Sequence, residues 1–158
     1  MKTLKIIAAI IAAVPATLIV SAILLFIIVP LINNSVAASI RRDLENLPLP
    51  AQTELIDSLS AAGNLVSQGN KVQTFGAILV RSELSLEELS AHFSQYRIDN
   101  EWHIQVEMQY SRNIGFMRER ERFTFNLSTD APLENYFIVY AWGPTNGVLD
   151  GLFDLRGN

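Results

Sequence analysis

Residues 6–32 read IIAAIIAAVPATLIVSAILLFIIVPLI, a stretch without a single charge. A helix needs about 20 predominantly apolar residues to cross a hydrocarbon core of roughly 30 Å. This run exceeds that length, so it can span with tilt or with its ends in the headgroups. Lipid offers no partner to backbone N–H and C=O groups, so the stretch must satisfy them internally as a helix. It divides the chain into a short tail (residues 1–5), a transmembrane helix (6–32), a juxtamembrane linker (33–52) and a folded domain (53–158).

Lys2 and Lys5 precede the run, and Arg41 and Arg42 follow it beside Asp43 and Glu45. Orientation follows lysine and arginine and is little affected by acids. The count is near a tie. The short tail and early span favour a signal anchor, N-terminus cytoplasmic and domain extracytoplasmic. The alternative is a cleaved signal peptide, with Val36-Ala37-Ala38 before Ser39 as its small-residue site, but signal h-regions run only about 7–15 residues. Ala9, Ala13, Thr17 and Ser21 recur every fourth residue, a small-residue face of the kind that lets two spanning helices approach. Pro15 lies beside that face.

All 16 acidic residues lie beyond the span, against ten of the 12 basic ones, which leaves the domain at −6. Such a charge argues against nucleic acid, whose phosphates require a basic face, and against general adhesion to anionic lipid. The chain has no cysteine, which excludes disulfides, thiolate metal sites, a cysteine nucleophile and a lipidated cysteine.

The linker contains Leu47-Pro48-Leu49-Pro50, which cannot continue a helix and reads as a semi-stiff spacer lifting the domain off the bilayer. A short helix over residues 35–46 continues the span. Asn33-Asn34-Ser35 and Asn126-Leu127-Ser128 match the glycosylation pattern, and we read both as chance. Residues 53–65 suit a helix face (Leu55, Ile56, Leu59) and equally a strand (Thr53, Leu55, Asp57, Leu59). With turns at Gly63-Asn64 and Gly69-Asn70 and a strand over 71–82, the preferred reading is a hairpin over residues 54–82, with Gly76 marking a bulge.

Ser85-Leu86-Glu87-Glu88 is a capping box, and Leu84 with Leu89 a hydrophobic staple. Leu86, Leu89, Phe93 and Tyr96 then share one face of a helix over residues 86–96. Residues 101–110 alternate, with Trp102, Ile104, Val106, Met108 and Tyr110 on a dry side and Glu101, His103, Gln105, Glu107 and Gln109 on a wet one. Phe123, Phe125 and Leu127 predict another strand, residues 136–142 a well-buried last one, and residues 148–155 a short closing element.

Glu101, His103 and Glu107 share one strand face, but zinc wants more nitrogen or sulfur ligands, and a solvated face is the ordinary reading. Arg118, Arg120 and Arg122 alternate with Glu119 and Glu121. Such a run is a charged edge that resists aggregation, or an arginine stripe that docks an anionic ligand or partner, with Arg112 extending it. Signatures for serine hydrolases, zinc proteases, phosphate loops and dinucleotide sites are missing. No catalytic residue, metal or cofactor is assigned.

The proline pair of 47–50, the segments Thr53-Glu54-Leu55-Ile56-Asp57 and Phe75-Gly76-Ala77-Ile78-Leu79-Val80, and the Ser85-to-Leu89 helix start resemble small uncharacterised bacterial membrane-anchored envelope proteins. The resemblance covers about half the domain. It implies extracytoplasmic placement and an α+β fold, and carries no catalytic residues.

The expectation is an α+β protein: a single transmembrane helix, then an antiparallel sheet in the order β-β-α-β-β-β with one helix packed on a face. Its expected role is binding or envelope association without catalysis. The expected partners are the lipid bilayer and another membrane or envelope protein. Two alternatives stay open: a small subunit of a membrane complex associating through the Ala9/Ala13/Thr17/Ser21 face, and an extracytoplasmic enzyme with an unrecognised site.

Overall fold

The computed structural model describes residues 2–66, 71–98, 102–115, 117, 123–127, 134–144 and 150–157. The uncharged run and the segment after it form one helix, α1, over Lys2–Glu45. Pro15 and Pro30 lie inside it, where each removes one i→i−4 donor. The helix ends where Asn46 N–H donates to Arg42 O (3.1 Å) and Leu47 N–H to Leu44 O (3.2 Å), just before Pro48 and Pro50 forbid another turn.

The protein is α+β, as the pattern predicts. Strand β1 is Thr53–Gly63, β2 Gln73–Ser82, β3 Arg97–Ile98, β4 Trp102–His103, β5 Gln105–Met108 and β6 Tyr136–Pro144. Helix α2 is Leu86–Phe93 and α3 Asp150–Phe153, with a closing 3-10 turn at Leu155–Gly157. Among the described residues the main sheet runs β1-β2-β6-β5, all antiparallel, and β3 pairs with β4 separately.

Both faces of the central strands are covered. Ile78 and Val80 of β2 with Phe137, Val139 and Ala141 of β6 pack against Ile40 and Leu44 of α1 and Leu89 and Phe93 of α2. On the opposite face Phe75, Ala77, Leu79 and Ile138 pack against Leu65, Ile114, Met117, Phe125 and Leu127. Strands buried on both sides read as continuous apolar runs, which is how residues 75–80 and 137–142 read.

The main departure from the expected layout concerns residues 33–52. Rather than a spacer, this stretch is core. Asn33, Ala37, Ile40 and Leu44 are buried, and Leu47 and Leu49 pack on the same cluster. Their spacing of four, three and four residues is one stripe of a helix, with the charges of Arg42 and Asp43 outside it. Gly76 is the seat of this contact and not a bulge. A Cβ there would lie 2.5 Å from Arg41 N and 2.9 Å from Ile40 C, so the α1 backbone rests directly on β2.

The bulge is in β1 instead, where the register slips between Leu55 and Asp57. It brings Ile56, Leu59 and Ala61 onto one cluster. An inserted residue turns a period of two into a step of three, which is why this strand also suits a helix.

α2 opens with the expected capping box. Glu88 N–H donates to Ser85 Oγ (3.2 Å) and Ser85 N–H to Glu88 Oε2 (2.8 Å). Those bonds, the backbone one first, hold the Glu88 carboxyl below its ordinary range. Replacing Ser85 with alanine should cost about 1 kcal/mol, read as a lower denaturation midpoint with an unchanged slope.

The strand expected over residues 101–110 breaks at Ile104 and keeps its alternation only to Val106. Met108 and Tyr110 are exposed and Gln109 is buried. Gln109 Nε2 donates to Ser111 O (2.6 Å) and Asn113 O (2.7 Å), so the chain turns inward on an amide. Among the described residues, 123–127 pair only at the bridge Asn113↔Thr124. Phe125 and Leu127 cover the sheet from outside it.

Candidate membrane-facing site

Helix α1 has two regimes. From Ala13 to Ile28 its described side chains are almost all exposed, including Val14, Leu18, Ile19, Val20, Ile23, Leu24, Ile27 and Ile28. From Asn33 onward one stripe is buried in the domain. A helix apolar all round belongs in a core or a membrane, and the described side chains from Ala13 to Val20 are all exposed. It is long and apolar enough to cross a bilayer.

The join between the regimes is made by a polar clamp that sequence reasoning missed. Asp154 is fully buried. Arg156 donates to its carboxylate through Nε (2.8 Å) and Nη2 (2.6 Å), and Asn33 Nδ2 donates at 2.8 Å. Arg156 also donates to Asn34 Oδ1 (2.7 Å) and Pro30 O (3.2 Å), while Asn64 N–H donates to Arg156 O (2.6 Å). One residue thus ties the closing turn to α1 and to the end of β1. Burial pushes the Asp154 carboxyl up, but the Arg156 and Asn33 bonds and the guanidinium charge outweigh it and hold it below the usual range. A buried carboxylate with a bidentate arginine and an amide donor keeps its charge because its lone pairs are satisfied. Asn33, buried and bonded, is unsuited to carry a glycan, in line with the chance reading of its motif. The signal available in the sequence was weak: two asparagines ending an apolar run and an Asp-x-Arg more than a hundred residues on.

Arg118, Arg120 and Arg122 lie outside the described residues, as does Glu101. Arg112 donates through Nη2 to Leu127 O, a bond that holds the outer segment to the turn after β5. Of the small-residue stripe, Ala13, Thr17 and Ser21 are exposed along α1, and Thr17 Oγ1 donates to Ala13 O (2.9 Å). Ala9 is in the same helix, its side chain outside the described set.

His92 sits 2.8 Å through Nε2 from Pro48 O, joining α2 to the proline segment. His103 is exposed in β4. Among the described residues no group of three His, Cys, Asp or Glu is placed to hold a metal ion. Tyr140 donates to Glu107 Oε1 (2.5 Å), with Gln105 Oε1 at 2.8 Å as the alternative acceptor. Burial, then the Glu107 bond and charge, push its phenol well above the ordinary range, so it works as a fixed donor.

Comparison with protein-family models, with curated proteins and with solved structures finds no match to this chain.

Proposed function

We propose that this is a single-span membrane protein that holds a non-catalytic binding domain against the outer side of a cell membrane, as an envelope-associated module. One observation carries the reading. A helix apolar on every side runs, without a joint, into the core of the domain. A domain so attached has a set height above the bilayer, which suits docking to another membrane or envelope component better than reaching for distant ligands. The domain's net charge of −6 disfavours nucleic acid as that component. The cytoplasmic N-terminus is part of the proposal and is left to the sidedness test, since Lys2 and Lys5 before the span are matched by Arg41 and Arg42 after it. Binding rather than catalysis is favoured by how the described polar groups are used: His92 joins two segments, and Tyr140 and Asp154 hold theirs in place.

The exposure of Ala13, Thr17 and Ser21 favours a second reading, in which the protein is a subunit of a membrane complex and another spanning helix lies on that face. The two readings share the anchor and differ in which surface meets the partner.

The test is extraction and sidedness in intact cells. The full chain should stay with membranes through an alkaline carbonate wash. A cysteine placed at Tyr110, which is 79% exposed, should react with a membrane-impermeant maleimide from outside; the chain has no competing thiol. Release by carbonate would overturn the anchor, and labelling only after lysis would overturn the orientation.

A further inference from the structure

We infer that Asp150–Gly157 is a second membrane contact, a short interfacial element that lies in the headgroup and upper acyl layer beside the span. The inference rests on the spanning reading of α1 and adds to it where the bilayer boundary falls.

The placement follows from a ring contact inside the apolar run. Phe153 of α3 meets Phe26 of α1 edge-on, with ring centroids 5.3 Å apart. Phe26 is six residues before the end of the uncharged stretch at Ile32. At 1.5 Å per residue it lies about 9 Å nearer the bilayer centre than Ile32. If residues 6–32 all crossed the hydrocarbon, α3 would be dragged to that depth. The alternative agrees with the lengths. Residues 6–25 alone reach about 30 Å, enough for the whole core. Residues 26–32 then stand in the interface together with α3, and the Asn33, Asn34, Asp154 and Arg156 clamp marks its polar limit.

Surface character points the same way. Leu152 and Leu155 are 65% and 68% exposed, beside a helix whose own Ile27, Leu31 and Ile32 are exposed. Residues 153–156 meet α1 at Phe26, Pro30, Asn33 and Asn34, one face of the helix. The two exposed leucines bracket that contact: Leu152 precedes Phe153, which meets Phe26, and Leu155 lies between Asp154 and Arg156, which meet Asn33, Asn34 and Pro30. Interfacial segments bury apolar side chains about 5–10 Å into the headgroup and acyl boundary, the depth that the Phe26 contact requires. The occupant of this patch is therefore lipid, continuous with the lipid around the span.

The cysteine-free chain permits a direct depth measurement. Full-length Leu152→Cys and Leu155→Cys, each carrying a nitroxide, are reconstituted in phosphatidylcholine vesicles. Collision with oxygen, which enters the bilayer, is compared with collision with a water-soluble nickel chelate. Ile19→Cys is the hydrocarbon reference and Tyr110→Cys the aqueous one. The ratio at 152 and 155 should lie between the references and nearer Ile19. Values matching Tyr110, with Ile19 lipid-like, would overturn the interfacial contact and leave the anchor standing. A water-like Ile19 would remove the spanning reading itself. Spectral broadening at 152 that vanishes on dilution with unlabelled chain would put a second copy on the patch, and equally overturn the inference. The two leucines are labelled separately, so loss of folding in one variant leaves the other to decide.

Discussion

Gly76→Ala should lower the stability of the domain by about 3 kcal/mol, although it adds one methyl group. At most sites the exchange is mild or favourable, because alanine restricts the unfolded chain. Here the added carbon would sit 2.5 Å from Arg41 N, 2.7 Å from Ile40 Cγ2 and 2.9 Å from Ile40 C. Two of those atoms are backbone and cannot rotate away, so α1 must lift from β2. Overpacking a filled core typically costs 1–3 kcal/mol and sometimes more, and lifting α1 also loosens Ile40 and Leu44, both fully buried against the sheet. Gly115 is the control, because a Cβ there meets nothing within 4 Å. Chemical denaturation in detergent, followed by Trp102 and Trp142 fluorescence, should give a large drop for Gly76→Ala and almost none for Gly115→Ala. Equal midpoints for the two variants would mean that α1 does not rest on the sheet.

Arg156→Ala should cost a similar amount, about 3 kcal/mol, because it strands a buried carboxylate. Breaking a buried ion pair by deleting one partner typically costs about 3–5 kcal/mol, whereas replacing both partners can be near neutral. Arg156 is itself partly exposed, which places the expectation at the lower end of that range. Asp154→Asn combined with Arg156→Met should therefore destabilise less than Arg156→Ala alone.

The pH dependence separates the variants further. In the native protein the Asp154 carboxyl is held below its ordinary range. Its contribution is thus complete above the unfolded value near 4 and lost as pH falls through the lower folded value. Without Arg156, the burial that opposes ionisation dominates, and the folded carboxyl rises above the unfolded one. Stability of the variant then falls as pH increases from about 4. Its deficit against the native protein should be smallest in acid and largest at neutral pH. A deficit constant across pH would show that Arg156 acts through packing and not through Asp154.

What could be read from the chain alone follows the reach of its signals. The long apolar helix, the capping box and the β2 and β6 strands rest on contiguous residues, and the sequence shows them directly. The Ala37, Ile40 and Leu44 stripe was equally periodic, but it lies between an uncharged run and a proline pair, and its outer face carries Arg42 and Asp43. Local composition therefore suggested a spacer. The β1 bulge at Ile56 hid a strand period behind a helical one. Gln109 entered the interior because it bonds two carbonyls at the turn that follows it, a feature that alternation counting does not register. The Asp154 clamp joins residues 121 apart, and no local pattern announces such a pair. The candidate arginines at 118, 120 and 122 stay a sequence argument, since they lie outside the described residues.

The central claim is that one helix serves both as membrane anchor and as a wall of the domain core. Hydrogen exchange of the full chain in lipid vesicles tests it most directly. Amides should be protected without interruption from Leu18 in the exposed apolar half, through Asn33, to Leu44 in the core, since each is helical and shielded by lipid or by the sheet. A run of fast-exchanging amides between Leu31 and Ser39 would mean that the span and the domain are joined by a flexible tether, and would contradict the account.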